Sequence, residues 1–336
     1  MNFFFLIILF FILNLIIVFH FKTIEKKLIF LDNPDGKLKQ HRKPISLLGG
    51  TIILFNFYLS FFCLNLFNLN DLIFNTEFIY IIILLSTLFF IVGLIDDLKN
   101  LSPNLKLLLI CLSFVLIVYF FPDIKLKYIK ISFIQKTYYF NNFSTIFVLL
   151  SFALLSNAMN MFDGINLQLI LFSLFIFIIF IFKGFFPIFF ILLSICLIFL
   201  GILNYKNKIF LGDGGSYLLS SIIGCTFIYQ YKYFDNFFYG DEVFIILLLP
   251  SIDMLRLFVV RSINKKNPFK GDLNHFHHIV GNSLKNDNYT ILLTSFMFIL
   301  PSLMLFFLKI ETYYIFIINI IVYSSIILFL KKKNVR

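Results

Sequence analysis

Clusters of acidic, amide, glycine and histidine residues recur at the ends of long apolar runs in this sequence, and they hold the side chains best suited to chemistry. One run ends in two adjacent carboxylates, Asp96 and Asp97. Adjacent carboxylates repel each other unless a cation or a proton lies between them, and a helix dipole disfavours acids at its C-terminus. We therefore expect Asp96 and Asp97 to bind a metal ion or to provide a general base.

A second cluster combines glycine with an acid in the segment Gly212-Asp213-Gly214-Gly215-Ser216, just before an apolar run. Glycines let a phosphate approach the backbone, Ser216 is of a type that caps helices, and a helix N-terminus favours anions. Asp213 is compatible with an anion only if Mg²⁺ bridges its carboxylate to the phosphate oxygens. The segment therefore predicts a metal–diphosphate site, and it lacks the Gly-Lys-Ser/Thr of a Walker loop.

A third cluster places Asn157, Asn160 and Asp163 at intervals of three residues, followed by Gly164. This spacing predicts that the three side chains share one helix face and that Gly164 ends the helix. Amide and carboxylate groups together are typical of a site that binds a sugar or a base through hydrogen bonds. The alternative is a polar contact between helices in lipid.

Histidines and a basic loop complete the candidate residues. His275, His277 and His278 lack both cysteine and the spacing of zinc proteases, so we interpret them as donors to phosphate or sugar oxygens rather than zinc ligands. The basic run that contains Lys37 and His41 offers further contacts to phosphate. A positively charged loop beside a membrane is the alternative for that run.

The elements that must position these clusters are membrane-spanning helices. The chain has 336 residues, is 60% hydrophobic and has a mean hydropathy of +0.97. Its apolar runs reach about twenty residues, the length that a bilayer requires, and they lack the alternation of β-barrel strands. The sequence predicts an all-α, polytopic integral membrane helical bundle that forms one domain over residues 1–336. We expect about eleven transmembrane helices, at residues 2–21, 47–67, 78–95, 105–121, 143–161, 167–182, 186–203, 216–232, 243–260, 290–308 and 312–330.

Positive charge indicates the orientation of this bundle. Most Lys and Arg residues follow odd-numbered spans, and the positive-inside rule places those segments in the cytoplasm. We therefore expect a protein of the plasma membrane with its N-terminus outside, its C-terminus inside and all five clusters on the cytoplasmic face. The net charge of +11 is concentrated on that face, which suits either anionic lipid or a polyanionic substrate. The segment 122–142 is basic but outside, and its alternating residues predict a short β-hairpin on the outer face.

Five motifs follow one another along the predicted cytoplasmic face: Asp32-x-Pro34 with His41 and Gly49-Gly50, then Asp96-Asp97, Asn157-x-x-Asn160-x-x-Asp163-Gly164, Gly212-Asp213-x-Gly215-Ser216 and His275-x-His277-His278. This set resembles the polyprenyl-phosphate N-acetylhexosamine-1-phosphate transferases over about residues 30 to 280. The resemblance implies a Mg²⁺-dependent reaction, with Mn²⁺ as an alternative. A UDP-linked N-acetylated sugar would give its sugar-1-phosphate to undecaprenyl phosphate and release UMP.

The resemblance also implies roles for individual residues. Asp213 would bind the metal together with Asp96 and Asp97, and these two would serve the acceptor phosphate as a base or an orienting pair. His277 completes the implied catalytic set, and Phe210 would stack on the uracil ring. The remaining residues would bind the nucleotide, the sugar or the phosphates: Lys37, His41, Lys106, Asn157, Asn160, Asp163, Asn166, Ser216, His275 and His278.

Departures from the family pattern bear on the substrate. Asn166 and Leu167 stand where the family usually carries Asp and Gly, which we interpret as a sign of a different sugar preference. Ser46 stands where a second Pro is common. The His-x-His-His pattern resembles the branch that initiates O-antigen, teichoic acid and related surface glycans. The alternative branch is the phospho-N-acetylmuramoyl-pentapeptide transferases of peptidoglycan synthesis.

Two other classes of protein are alternatives. A membrane cation or lipid transporter would place carboxylates at mid-span, where only Asp253 falls among the predicted spans. An inactive structural relative is the other alternative, because Asn166 replaces an acid. The partners that we expect are undecaprenyl phosphate, a UDP-sugar and the lipid bilayer. No nucleic acid is expected, and a homodimer is left open.

Overall fold

The computed structural model describes residues 2–28, 30–32, 34, 43–69, 75–234, 238–265, 267 and 274–334. Within these ranges the chain forms fourteen α-helices and two small sheets. The strands are β1 (Leu31–Asp32), β2 (Ile45–Ser46), β3 (Tyr128–Ile131) and β4 (Lys136–Tyr139). In chain order the helices are α1 (Asn2–Phe19), α2 (Phe21–Lys27), α3 (Gly49–Leu66), α4 (Thr76–Lys99), α5 (Pro103–Phe120), α6 (Ser144–Phe162), α7 (Gln168–Phe182), α8 (Pro187–Tyr205), α9 (Gly212–Tyr233), α10 (Gly240–Ile246), α11 (Leu248–Ile263), α12 (Phe276–Leu284), α13 (Asp287–Phe306) and α14 (Thr312–Asn334).

The chain divides into two compact units, each built from two separate segments. The first unit is Met1–Ile124 with Leu169–Tyr229, and the second unit is Lys125–Gln168 with Gln230–Arg336. Neither unit is a continuous stretch of sequence, because α6 belongs to the second unit, whereas α7, α8 and most of α9, which follow it in the chain, belong to the first. The single domain over 1–336 stays a prediction.

The prediction of a polytopic helical membrane protein is confirmed. Seven helices in the described part of the chain are long and apolar enough to cross a membrane, and two bent pairs raise this to nine if each pair is one span. The pairs are α1 with α2, bent by 66°, and α10 with α11, bent by 82°. Each of the eleven expected spans coincides with a helix or a bent pair. However, α7 has 15 residues and α9 starts with a polar segment, so the count of eleven stays a prediction.

The turn between α4 and α5 places the acidic end of one helix beside the start of the next. Asn100 ends α4 in a left-handed conformation with a φ of 49°, and Ser102 caps α5 through its side chain. Pro103 is suited to the first helical position because it has no N–H to leave unpaired. The chain thus reverses within three residues, and Lys106 in the first turn of α5 reaches back to Asp96.

A small sheet joins the start of α3 to the start of α9 in the first unit. β1 and β2 pair antiparallel, and Ser46 of β2 forms a parallel bridge with Ile209. The Phe210 N–H donates to the Ser46 carbonyl oxygen at 2.8 Å. The two glycine-bearing motifs, which lie far apart in sequence, therefore begin their helices side by side.

The β-hairpin predicted within 122–142 is confirmed. β3 and β4 pair antiparallel, and Ile131 lies opposite Lys136 next to the turn. Asp241 of α10 fixes this turn by accepting hydrogen bonds from the Ser132 N–H at 2.9 Å and from Ser132 Oγ at 2.5 Å. The location of the hairpin on the outer side of the membrane stays a prediction.

The short helix α12 of the second unit carries the histidines. α12 packs against α13 and α14, and α6 packs against α11. His275 is the N-cap residue of α12, so the histidine motif forms the beginning of this helix. Phe276 at the first position of the helix is buried and stacks on Tyr323 of α14, with ring centroids 5.1 Å apart.

Candidate active site

The first turn of α9 lies in direct backbone contact with two other helices. The Gly49 N–H donates to the Phe210 carbonyl oxygen at 3.1 Å, and a Cβ on Gly50 would lie 2.5 Å from the Gly215 nitrogen. A Cβ on Gly93 would overlap the backbone of Asp213. Gly49, Gly50 and Gly93 are therefore required because no side chain fits where these backbones meet.

Asp97 is bound to the N-terminus of α9. Its Oδ1 accepts the Asp213 N–H at 2.9 Å, and its Oδ2 accepts the Gly214 N–H at 3.1 Å. A helix N-terminus favours an anion, and here a carboxylate from α4 fills that role. The sequence analysis assigned these amides to a phosphate, whereas the structure gives two of them to Asp97. Asp97 thereby fixes the position of Asp213.

The expectation that Ser216 caps a helix is wrong. α9 already begins at Gly212, whose φ is +72°, so Ser216 lies inside the helix rather than at its N-cap. Its Oγ donates to the carbonyl oxygen of Asp213 at 3.1 Å, and the side chain is fully buried. A role for Ser216 in substrate binding stays a prediction.

Lys106 connects the other two carboxylates. Its Nζ forms an ion pair with Asp96 Oδ2 and lies 3.2 Å from Asp213 Oδ2. Asp96 is almost fully buried, and its Oδ1 accepts the Leu101 N–H at 2.7 Å. The side chains of Lys106 and Asp213 are 26% and 28% exposed, so they form the accessible side of the cluster. Sequence reasoning predicted these residues, and the structure brings them together with Asp97.

The donor set of this cluster fits Mg²⁺ bound together with a substrate. Within the described ranges, no three His, Cys, Asp or Glu side chains form a group that could hold a metal ion by themselves. Mg²⁺ does not need such a group, since it usually binds one or two carboxylates, several waters and the phosphates of a substrate. Asp213 is the exposed carboxylate, and the four side chains Asp96, Asp97, Lys106 and Asp213 are net negative when ionised. A metal there would rely first on Asp213, because both oxygens of Asp97 accept backbone N–H groups and those of Asp96 accept the Leu101 N–H and pair with Lys106.

The second unit contains the amide and histidine residues. α6 ends at Phe162, as Gly164 predicted, and Asp163 is its C-cap residue. The Asn157 amide lies 3.4 Å from the sulfur atoms of Met161 and Met254. Asn160, Asp163 and Asn166 are partly buried at the end of α6 and in the loop that follows.

The ring of His277 lies on Gly164. A Cβ on Gly164 would overlap His277 Nε2, so the histidine occupies the space of the missing side chain. His277 is 1% exposed, and burial, followed by the neighbouring His278 and His275, holds its pKa well below the usual value of a histidine. It is therefore a neutral residue that contacts the loop after α6. The catalytic role of His277 stays a prediction.

Leu167 adopts a backbone conformation that favours glycine, the residue usual at this position in the family that the sequence resembles. Its φ is +65°, in the left-handed region that costs a residue with a Cβ roughly 1–2 kcal/mol. The loop therefore follows a course that favours glycine, although the sequence departs from the family pattern here. Lys37 and His41 lie outside the described residues.

The structure thus forms two clusters, each within its own unit. The first unit brings together Asp96, Asp97, Lys106, Phe210, Asp213 and Ser216. The second unit contains Asn157, Asn160, Asp163, Asn166, His275, His277 and His278, and there the ring of His277 lies on Gly164 in the loop after the amide residues. The union of the two clusters into one active site stays a prediction. Sequence reasoning missed the role of Asp253, which lies in α11 and binds His275. The available signal was a charged residue within an apolar run, a common mark of function in membrane proteins.

Comparisons with known proteins agree with these motifs. The model of glycosyl transferase family 4 matches residues 79–231, a range that contains the carboxylate cluster and the amide cluster. The undecaprenyl-phosphate alpha-N-acetylglucosaminyl 1-phosphate transferase of Thermotoga maritima is 28% identical over 328 residues. That alignment covers 96% of this chain and 94% of the relative, so the similarity extends over all five motifs.

Proposed function

From its place among the transferases of glycosyl transferase family 4, we propose that this chain moves a sugar-1-phosphate from a UDP-linked N-acetylated sugar to undecaprenyl phosphate. The products are a lipid-linked diphosphate sugar and UMP. The reaction takes place at the cytoplasmic face of the membrane, where the basic loops of the chain are expected. The relative from Thermotoga maritima makes UDP-N-acetylglucosamine the first donor to test.

The observation that carries this proposal is the contact of Lys106 with Asp96 and Asp213. Transfer of a phosphoryl group between two anions depends on positioning and on cationic groups more than on elaborate chemistry. Lys106 supplies one positive charge on the exposed side of the cluster, where a diphosphate can approach. Asp96 keeps the Lys106 ammonium in place, so the cation is positioned before the substrate arrives.

Asp97 contributes by holding the first turn of α9. Its two hydrogen bonds to the N–H groups of Asp213 and Gly214 fix the backbone from which the Asp213 side chain extends. Mg²⁺, when held by Asp213, would supply further positive charge to the diphosphate oxygens. The acceptor phosphate is largely ionised near neutral pH, so it attacks without first losing a proton to a strong base.

The lipid-linked diphosphate sugar is the first intermediate in the synthesis of a surface glycan. The His-x-His-His sequence at His275 to His278 supports this branch of the family, and the relative named above supports N-acetylglucosamine over a pentapeptide-bearing sugar. Asn166 stands where the family usually carries an acid, beside the amide cluster, and this supports a preference for a different donor sugar.

A donor panel tests the proposal. Purified protein in lipid nanodiscs is incubated with undecaprenyl phosphate, Mg²⁺ and single UDP-sugars, including UDP-N-acetylglucosamine and UDP-N-acetylmuramoyl-pentapeptide, and UMP is measured. We expect UMP to form with one or more UDP-N-acetylhexosamines and only when undecaprenyl phosphate is present. Release from the pentapeptide donor alone would favour the peptidoglycan branch. No UMP from any donor would favour a transporter or an inactive relative.

A further inference from the structure

We propose that Asp253 is a positioning residue that acts through His275: it fixes the proton on Nδ1 of His275, so that Nε2 is the ring nitrogen that meets the substrate. This inference rests on the proposed function for the nature of the substrate, a sugar diphosphate with oxygen and amide groups. The contacts that carry it lie entirely within the second unit.

Asp253 is a buried carboxylate whose two oxygens are both engaged. It is 5% exposed, and its Oδ2 lies 3.0 Å from Nδ1 of His275. Its Oδ1 accepts hydrogen bonds from Tyr323 Oη at 2.6 Å, from Arg256 Nη2 at 2.8 Å and from the Phe276 N–H at 3.1 Å. A carboxylate offers about four acceptor positions, so these four donors satisfy it, and the Arg256 guanidinium balances its charge.

This arrangement fixes the tautomer of His275. An ionised carboxylate can only accept hydrogen bonds, so Nδ1 of His275 must carry the proton that it donates to Asp253. In a neutral imidazole, Nε2 then has a lone pair and accepts a hydrogen bond from a sugar hydroxyl or an acetamido N–H. In the protonated ring, Nε2 carries a hydrogen and donates to a phosphate oxygen.

The main chain on both sides of His275 is held by the same group of residues. Arg256 Nη2 donates to the carbonyl oxygen of Asn274 at 2.6 Å, just before the histidine, and Asp253 accepts the Phe276 N–H just after it. Arg256 Nε also donates to Tyr323 Oη at 2.7 Å, which connects the pair to α14. Ring and backbone of His275 are therefore both fixed, as expected for a group that must meet a substrate in one geometry.

A purely structural role for Asp253 makes a different prediction, and Asp253→Asn separates the two. Three donors converge on Oδ1, so the asparagine should keep its oxygen there and turn its NH₂ toward His275. The NH₂ can only donate, so Nδ1 of His275 must become the acceptor, and the histidine proton moves to Nε2. The fold keeps most of its contacts while the tautomer of His275 is reversed.

The experiment is a double-mutant cycle with Asp253→Asn and His275→Gln, read as kcat/KM for UMP release and as the thermal midpoint of each purified protein. We expect Asp253→Asn to lower kcat/KM on the order of 10²-fold, because a wrong tautomer in an Asp–His pair lowers the rate. The midpoint should fall as well, since the Arg256 guanidinium loses its counter-charge, so the comparison of the two backgrounds decides the role. In the His275→Gln background, the same change should cause no further loss. Asp287→Asn, at an exposed position in the first turn of α13, is the matched control and should retain full activity.

Equal losses in both backgrounds, or full activity of Asp253→Asn, would overturn the proposal. A second measurement uses the wild-type protein, so it does not depend on whether a variant folds. Protein labelled with ¹⁵N-histidine, with His275 assigned by its loss in His275→Gln, should show a protonated Nδ1, and an unprotonated Nδ1 would contradict the proposal. If the wild-type protein released no UMP, the proposed function would fail while this spectrum still decided the pairing of Asp253 with His275.

Discussion

Replacing Gly93 with alanine tests the contact on which the carboxylate cluster depends. A Cβ at this position would overlap the backbone of Asp213, so α4 and the first turn of α9 must separate. Asp97 lies one turn further along α4, and it holds α9 through two hydrogen bonds of 2.9 and 3.1 Å. Hydrogen bonds to a charged group contribute about 1.5–3 kcal/mol each, so this separation weakens a strong contact between the two helices.

The expected effect falls on both activity and stability. Overpacking of this kind costs roughly 1–3 kcal/mol of unfolding free energy. Displacement of a catalytic group by 1 Å can lower a rate by about 10²-fold. We therefore expect Gly93→Ala to lose about 10²-fold in kcat/KM for UMP release and to unfold at a lower temperature.

Gly281→Ala is the matched control for this substitution. Gly281 lies in α12, and a Cβ there would have its nearest neighbour, Thr290 Oγ1, at an ordinary distance of 3.7 Å. Alanine in place of glycine within a helix stabilises by roughly 0.5–1 kcal/mol, so this variant should unfold at a slightly higher temperature and keep its activity. Wild-type activity and stability of Gly93→Ala would refute the close backbone contact between α4 and α9.

Three further predictions concern charge, substrate and topology. Lys106→Gln should lower kcat strongly because it removes the cation between Asp96 and Asp213. Lys99→Gln, at an exposed position at the end of α4, should not lower kcat, and equal rates of both variants would contradict the role of Lys106. Asn166→Asp should change the relative kcat/KM among UDP-sugars, since an acid accepts where the amide donates, and a uniform change across donors would count against a role in sugar choice. Single cysteines that replace the exposed residues Asn100, Asn207 and Asn282 should react with a membrane-impermeant reagent from the cytoplasmic side. A cysteine that replaces the exposed residue Asn142 should react from outside. Labelling of the first two from opposite sides would contradict the single cytoplasmic face.

The sequence identified the pair Asp96-Asp97 but treated the two residues alike, and the structure separates their roles. Neighbours on a helix point about 100° apart, because a turn holds 3.6 residues, so adjacent acids reach different partners. Asp96 contacts Lys106 in the first turn of the next helix, whereas Asp97 binds amides more than a hundred residues away in sequence. The first contact follows from local geometry, and the second depends on how distant helices pack.

The glycines show the same division between local and long-range information. Gly49-Gly50 indicates that some backbone approaches closely, yet nothing near it in sequence identifies Phe210 and Gly215 as the partners. Hydrophobic run length predicted the helices well, since it reflects the bilayer alone. The role of Asp253 could not be derived, because its partner His275 belongs to a different helix and only folding brings them together.

The central claim is that the cluster of Asp96, Lys106 and Asp213 is the centre of the reaction. The most direct test measures transfer of the sugar-linked phosphate to lipid, with and without the Asp213 carboxylate. The assay supplies a UDP-N-acetylhexosamine radiolabelled at the phosphate attached to the sugar, undecaprenyl phosphate and increasing Mg²⁺, and it quantifies label in the extracted lipid. We expect the wild-type protein to place the label in the lipid, and Asp213→Asn to place almost none at any Mg²⁺ concentration, with unchanged folding. Label in the lipid at wild-type rates with Asp213→Asn would contradict the assignment of the cluster of Asp96, Lys106 and Asp213 as the centre of the reaction.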